Sequence, residues 1–273
     1  MTEQIETLGI IAGDRSLPLL LASQARAMGV RKLVAIGFED QSNRDLEPLV
    51  DKMVWMKLGQ LTKLIDVFHE HGVRHCVMVG KIAPKSFFDV RPDLRVTMAV
   101  LKLKEKNAHT LFGAFADELG KDGIKLIEAT PWLQPIMPRS GFHLGPKLSD
   151  EQQADVEFGF RIAKEISRLE IGQSVVVKKG AVLAVEGFEG TDKCLLRGGE
   201  LAGKECGAVA VKVAKENHDM RWDIPCIGEQ TIETCVAGRI AVLAIEAGKT
   251  LLLERERVEA LAKKSRVILL TVG

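Results

Sequence analysis

The chain has 273 residues, 46% hydrophobic and 27% charged, with 38 Lys and Arg against 37 Asp and Glu. That is the composition of a globular protein with room for two domains. A formal net charge of +1 supplies no field to recruit nucleic acid or an anionic bilayer, and excludes a nucleic-acid binder whose affinity rests on a basic surface.

The start, MTEQIETLGIIAG, has two acids and no basic n-region, so no secretory signal is expected. No apolar run approaches the ~18 residues of a membrane span, and a cytoplasmic chain is expected. "LGIIAG" (8–13) reads as a strand and "LPLLLASQARAMG" (17–29) as a helix, with Ser16 as N-cap and Pro18 in the first turn. Strands follow at 32–38 and 52–58, a helix at 61–72 stopped by Gly72, and a strand at 74–81. Helical patterns cover 93–103 and 108–120, and a strand is expected over 124–130. This βαβα order implies a parallel sheet with helices on both faces, a Rossmann-like α/β domain over 1–130.

Residues 131–149 hold four prolines and two glycines and read as a linker. The second domain, 150–273, reads as mixed α/β. It opens with a helix (150–170) and a hairpin turning at Lys178-Lys179-Gly180. A strand is expected over 206–214, a helix over about 229–247, a strand at 249–254, a helix at 255–265 and a strand at 266–272. In "NHDMRWDIP", Asp219, Arg221 and Asp223 alternate with Met220, Trp222 and Ile224 before Pro225. Alternation of this kind predicts an extended segment with one charged and one apolar face.

Ligands of open parallel sheets bind beyond the carboxyl ends of the strands. Here those ends are Gly13-Asp14-Arg15-Ser16 and Gly80-Lys81. The first is a glycine turn at a helix N-terminus, suited to an anion, although a plain turn with a cap accounts for the same letters. With only Gly9 and Gly13 present, no dinucleotide fingerprint is supported. In the second domain Lys212 shares a strand face with Ala208 and Ala210, reading as a functional lysine or an edge gatekeeper. Glu186 stands at a strand end before Thr191 and Asp192, with Arg197 one turn on; capping a helix is the other reading of Thr191 and Asp192. Asp219, Asp223, Asp192 and Glu186 are candidate oxygen ligands for a hard divalent cation. Arg221, Lys212 and Arg197 are candidate phosphate binders. Together they suggest metal-assisted phosphoryl chemistry, while a salt-bridged strand edge explains the same residues.

The five cysteines, Cys76, Cys194, Cys206, Cys226 and Cys235, form no C-x-x-C pair, so free buried thiols are expected. His69 and His71, two apart on a helix, face different ways, and His75, His109 and His143 are isolated; none supports a zinc site. A non-catalytic binding module and a nicotinamide-dependent oxidoreductase are rival readings, the latter on the βαβ pattern only.

"GIIAG" with the following "LP", then "GKIAP", "LAVEGFEGTD", "RWDIPCIGEQTIE" and "AIEAGKTLLLE", in this order from about residue 8 to 254, resemble the UDP-2,3-diacylglucosamine pyrophosphatases of the LpxI type. The resemblance implies metal-dependent hydrolysis of the UDP-2,3-diacylglucosamine diphosphate in Gram-negative lipid A biosynthesis. The products would be UMP and 2,3-diacylglucosamine 1-phosphate, with attack on the phosphorus nearer the sugar. It implies a magnesium cofactor, or another divalent cation such as manganese or cobalt, and a lipid held between an N-terminal Rossmann-like and a C-terminal α/β domain. The aspartate of the family's R-[FW]-D-x-P motif maps onto Asp223, which would bind metal or orient water; Arg221 would hold the diphosphate and Trp222 anchor the loop. The acid of the G-T-D motif maps onto Asp192. His218 replaces a glutamine of the family pattern, and Asp14 replaces a second glycine after the first strand. Peripheral contact with the cytoplasmic face of the inner membrane follows from the lipid-linked UDP-sugar substrate, a homodimer is compatible, and no nucleic acid is implied. Trp132, Leu133, Ile136, Met137, Phe142 and Leu144 are candidate lining for the acyl chains, or a hydrophobic seam.

Overall fold

The computed structural model describes residues 5–39, 41–80, 82, 92–104, 108–204, 207–214, 219–222 and 224–273. The chain divides into two compact units: Met1–Leu133 with Asp219–Trp222, and Gln134–His218 with Asp223–Gly273. Both are α/β, as the order of patterns predicts.

The first unit runs β1 (Thr7–Ala12), α1 (Leu17–Ala27), β2 (Lys32–Phe38), β3 (Lys52–Met56), α2 (Leu61–Glu70), β4 (His75–Val79), α3 (Leu94–Leu101), α4 (Ala108–Lys121), β5 (Lys125–Leu126) and α5 (Thr130–Leu133). Its sheet has the order β3-β2-β1-β4-β5, every pair parallel. The central strands are continuous apolar runs because helices cover both faces: Leu8, Ile10 and Ile11 of β1 are buried. On α2 the buried side chains are Leu61, Leu64, Ile65 and Phe68, the three-and-four spacing of one helix face. They pack with Ile11, Val34, Ile36 and Met78 of the sheet. Each such side chain, fully buried, contributes about 1.5–3 kcal/mol. Ser16 does stand at the N-cap of α1, but with helical dihedrals and no side-chain cap bond.

Two expectations fail here. The strand expected over 124–130 pairs only at Lys125–Leu126, and the chain turns into α5 at Thr130; Pro131 suits the start of a helix and cannot donate to a ladder. Within "NHDMRWDIP", the described residues Asp219–Trp222 are not an extended strand. Asp219–Trp222 forms a turn closed by Trp222 N donating to the Asp219 carbonyl at 3.1 Å. The Asp219 carboxylate accepts from the Arg221 backbone N at 3.1 Å, a local bond that offers the backbone an alternative to a strand.

The second unit runs β6 (His143–Leu144), α6 (Asp150–Arg168), β7 (Ser174–Lys178), β8 (Ala181–Val185), α7 (Thr191–Leu201), β9 (Ala208–Lys212), β10 (Cys226–Ile227), α8 (Glu229–Ala237), β11 (Ile240–Glu246), β12 (Leu251–Leu252), α9 (Arg255–Ser265) and β13 (Ile268–Val272). The main sheet has the order β6-β13-β11-β9-β7-β8. β9, β11 and β13 are parallel; β7 inserts antiparallel to β9, and β8 returns beside it. Ser149 starts α6 with a reciprocal capping box to Gln152. The hairpin appears where expected. Lys179 and Gly180 both have positive φ, 52° and 75°, as a two-residue turn of the favoured hand requires. Asp155 of α6 accepts from both their backbone N atoms at 2.8 Å.

The helix expected over 229–247 is two elements. α8 ends at Ala237, Gly238 and Arg239 break the chain, and Ile240–Glu246 becomes β11 inside the sheet. A short apolar run such as "IAVLAIE" fits a buried strand as well as a buried helix, so periodicity does not separate them. Two glycines let α7 pack closely: a Cβ on Gly198 would stand 2.5 Å from Val176 Cβ of β7, and one on Gly199 1.7 Å from the Gly238 carbonyl at the end of α8. The strand expected at 249–254 shortens to β12, which pairs with β10 as a separate two-stranded ribbon.

Of the residues at 131–149, Leu133 is fully buried and Trp132 and Met137 nearly so. Phe142 and Leu144 pack on the core beside Leu269.

Candidate active site

In the first unit, strand order reverses between β1 and β4, so the crevice beyond their carboxyl ends is the topological switch point. Gly13 and Gly80 meet there: Gly13 N donates to the Val79 carbonyl at 2.8 Å. Gly80 has φ +90°, and a Cβ on it would lie 2.7 Å from the Asp14 carbonyl. Only glycine fits both the dihedral and the approach. Arg15 has φ 72°, and its backbone N donates to Asp14 Oδ1 at 2.7 Å. The predicted anion-binding positions Gly13, Asp14, Arg15, Ser16 and Gly80 are thus brought together. Lys81 lies outside the described residues.

The Asp219–Trp222 turn belongs to this unit. Arg221 grips the Asp219 carboxylate bidentately, Nε to Oδ1 at 2.8 Å and Nη2 to Oδ2 at 2.6 Å, and lies 4.5 Å over the Trp222 ring. Its guanidinium is held above its ordinary range, chiefly by the hydrogen bonds to Asp219. Trp222 stacks at 6.1 Å against Phe112 and packs on the core of α2 and the sheet. The two charges read as separate functional groups therefore form one internal clamp. Asp223 lies outside the described residues.

The second unit gathers its groups at one sheet edge. β8 and β9 end there, and β7, running the other way, begins there, so Glu186, Lys212 and Ser174 converge; Ser174 is the register partner of Lys212. Thr191 enters at the start of α7. The face prediction for β9 holds: Ala208 and Ala210 join one core, Val209, Val211 and Val213 the other. Lys212 is 8% exposed and Glu186 6%. Lys212 Nζ donates to the Cys226 carbonyl at 3.2 Å and to Thr191 Oγ1 at 3.4 Å. The Thr191 hydroxyl donates to Glu186 Oε1 at 3.1 Å and lies 3.3 Å from Ser174 Oγ. Glu186 Oε2 is buried with no hydrogen-bond partner among the described residues. Such an atom costs about 1–3 kcal/mol, and more when charged.

Thr191 and Asp192 do not cap α7; Gly190, at φ 84°, holds that position. Asp192 accepts from Gln230 Nε2 at 3.2 Å, at the first turn of α8. Arg197 is committed elsewhere: it donates to the Val185 carbonyl at 2.9 Å and to Glu189 at 2.6 Å. Its hydrogen bond is the main reason the Glu189 carboxyl sits below its ordinary range. The sequence reading missed Ser174, Glu189 and Gln230. The first is legible only through strand pairing; the other two lie inside motifs already quoted.

The described acids alone make no cation cage. No three His, Cys, Asp or Glu side chains gather among the described residues. Asp219 is clamped by Arg221, and Glu186 faces Thr191. Cys76, Cys194, Cys226 and Cys235 are free thiols. Burial pushes Cys194 and Cys235 up to about 12 and Cys76 higher still, which leaves these three unreactive.

The family model described as the LpxI N-terminal domain matches residues 7–136, and that of the LpxI C-terminal domain residues 139–270. The UDP-2,3-diacylglucosamine pyrophosphatase LpxI of Caulobacter vibrioides is 32% identical over 270 residues, 93% of each chain. Among solved structures, a biotin carboxylase–ATP complex from Campylobacter jejuni aligns over 73% of this chain and 42% of its own, at 12% identity and a TM-score of 0.28. N5-carboxyaminoimidazole ribonucleotide synthetase from Thermotoga maritima aligns over 74% and 44%, at 16% identity and 0.26. Likeness at those scores carries no argument. The two domain models and the identity across nearly the whole length do: the chain belongs to the LpxI family.

Proposed function

We propose that this chain hydrolyses the diphosphate of UDP-2,3-diacylglucosamine, giving UMP and 2,3-diacylglucosamine 1-phosphate for lipid A biosynthesis. The observation that carries the reading is the 32% identity along 93% of both chains to a relative of that name. The chemistry of the two sheet edges supports it. The glycine crevice of the first unit offers backbone N–H groups at a helix N-terminus, the surroundings a phosphate prefers. The second unit offers a buried lysine among hydroxyls. Lys212 would stabilise charge developing on the diphosphate as water adds to phosphorus and the anhydride P–O bond breaks. Thr191 would hold that lysine, Asp192 would face the same edge, and Asp223 would orient the attacking water. We assign Arg221 and Asp219 to positioning the turn before Asp223.

A divalent cation, magnesium or a substitute, would neutralise the diphosphate when bound. Asp223 and Asp192 are the acids assigned to it, with phosphate oxygens completing the shell. Peripheral contact with the cytoplasmic face of the inner membrane belongs to the same reading. No described helix is long and apolar enough to cross a membrane. α3, however, exposes Leu94, Met98 and Leu101, at 77%, 51% and 68%, one apolar face followed by Lys102 and Lys104, the pattern of a helix lying on anionic lipid.

The test is UMP release from UDP-2,3-diacylglucosamine in detergent, with and without EDTA. Release that stops with EDTA, returns with magnesium and disappears in Asp223→Ala is expected. Substrate binding without turnover in any divalent metal would make the chain a nucleotide-sugar lipid binder. Full activity of Asp223→Ala would remove that residue from the chemistry.

A further inference from the structure

We propose that Glu186 is a positioning residue for Lys212, acting through the Thr191 hydroxyl. This rests on the reading of Lys212 as the buried cation of the reaction.

A threonine hydroxyl has one proton and two lone pairs. Thr191 gives its proton to Glu186 Oε1. Its lone pairs then face Lys212 Nζ at 3.4 Å and Ser174 Oγ at 3.3 Å, so Ser174 is the donor in that contact. The hydroxyl is saturated and has one orientation. A carboxylate is a pure acceptor, so it forces the Thr191 proton away from the lysine and leaves an acceptor pointing at it. The ammonium is drawn to that acceptor and to the Cys226 carbonyl at 3.2 Å. Two of its three N–H bonds are thereby directed among the described residues, which leaves the third for an anionic oxygen. Around it, Ala208 and Ala210 offer no polar atom from their side chains, so among the described residues this flexible lysine is anchored by those two acceptors.

Glu186 is itself held from both sides. Its backbone N donates to the Ser174 carbonyl at 2.9 Å. Gly172 packs so closely that a Cβ there would lie 2.1 Å from the Glu186 carbonyl. The carboxylate is nearly sealed from solvent, at 6% residue exposure, and its link to Lys212 among the described residues runs through the Thr191 hydroxyl. Its second oxygen stays unpartnered among the described residues.

Glu186→Gln and Thr191→Val are compared with Thr191→Ser, alone and in a Lys212→Met background, with thermal midpoints recorded throughout. Both breaking variants are expected to lower kcat about tenfold with little change in KM, because an interaction made only in the transition state is lost. The double variant falls no further than either single one, Thr191→Ser keeps most activity, and neither breaking variant matters once Lys212 is methionine. Losses that add, or that persist in the Lys212→Met background, overturn the proposal. Crystal structures of Glu186→Gln and Thr191→Val give a readout independent of substrate: Lys212 Nζ should leave the Cys226 carbonyl, and an unmoved ammonium overturns the relay. If wild-type protein releases no UMP in any metal, the proposed function fails, and the crystallographic result alone decides the positioning claim.

Discussion

In the proposed reading, the two sheet edges would handle phosphate charge in opposite ways. At the β1/β4 crevice the protein would use backbone: Gly13, the left-handed Arg15 and the crowded Gly80 shape the loop that leads into α1, whose first-turn N–H groups would be the donors. At the β8/β9 edge it uses side chains, with Lys212 and Glu186 both nearly buried and linked through one hydroxyl. Backbone sites tolerate change in side chains but not in dihedral angle. Buried charge sites tolerate change in neither partner, because the survivor is left uncompensated.

That contrast is breakable. The largest effect is expected at the buried edge: Lys212→Met should lower kcat by about 10²–10³-fold, the loss typical of one electrostatic stabiliser, with KM nearly constant in steady-state assays. At the crevice, Gly80→Ala should act through structure. Forcing a Cβ into a left-handed residue costs about 1–2 kcal/mol, and contact with the Asp14 carbonyl adds to it. Denaturant melts should show that loss, and KM should rise more than kcat falls.

A third test sharpens the comparison within the second unit. Glu246, at 5% exposure, accepts from Ala214 N at 2.8 Å and from Lys249 at 2.7 Å. Burial pushes its carboxyl up, but the hydrogen bonds from Lys249 and Ala214 and the charge of Lys164 outweigh this and hold it below its ordinary 4.5. A depressed carboxyl contributes stability that is full above that ordinary value and is lost as pH falls through the lower one. Wild-type melts should therefore weaken on the acid side of pH 4.5 more steeply than those of Glu246→Gln, which is less stable at neutral pH. The smallest effect is expected at Arg197→Ala. Its partner Glu189 lies at the surface, and exposed ion pairs are screened by solvent, so the melting temperature should not move measurably.

Much of this was legible in the letters. The βαβ order of the first unit, the Lys179-Gly180 turn and the two faces of β9 all follow from local patterns. So does the placing of Gly13 and Gly80 at strand ends, whereas Lys212, read as lying inside a strand over 206–214, proves to be the last residue of β9. The failures have physical causes. "NHDMRWDIP" alternates like a strand, yet the Asp219 carboxylate folds back onto Arg221 and its backbone, so local hydrogen bonding overrode hydrophobic period. β11 hid in an apolar run that suits helix and strand equally.

By itself, then, the sequence determined an α/β chain, its turns, and which residues sit at the carboxyl ends of strands, because those depend on dihedral preference and burial period within a few residues. Tertiary structure alone decided that β7 inserts antiparallel beside β9 and carries Ser174 to Lys212, that Glu186 reaches the same edge, and that Asp219–Trp222 packs with the first unit. Those outcomes depend on pairings between segments tens of residues apart, which the whole buried core selects and no local pattern encodes.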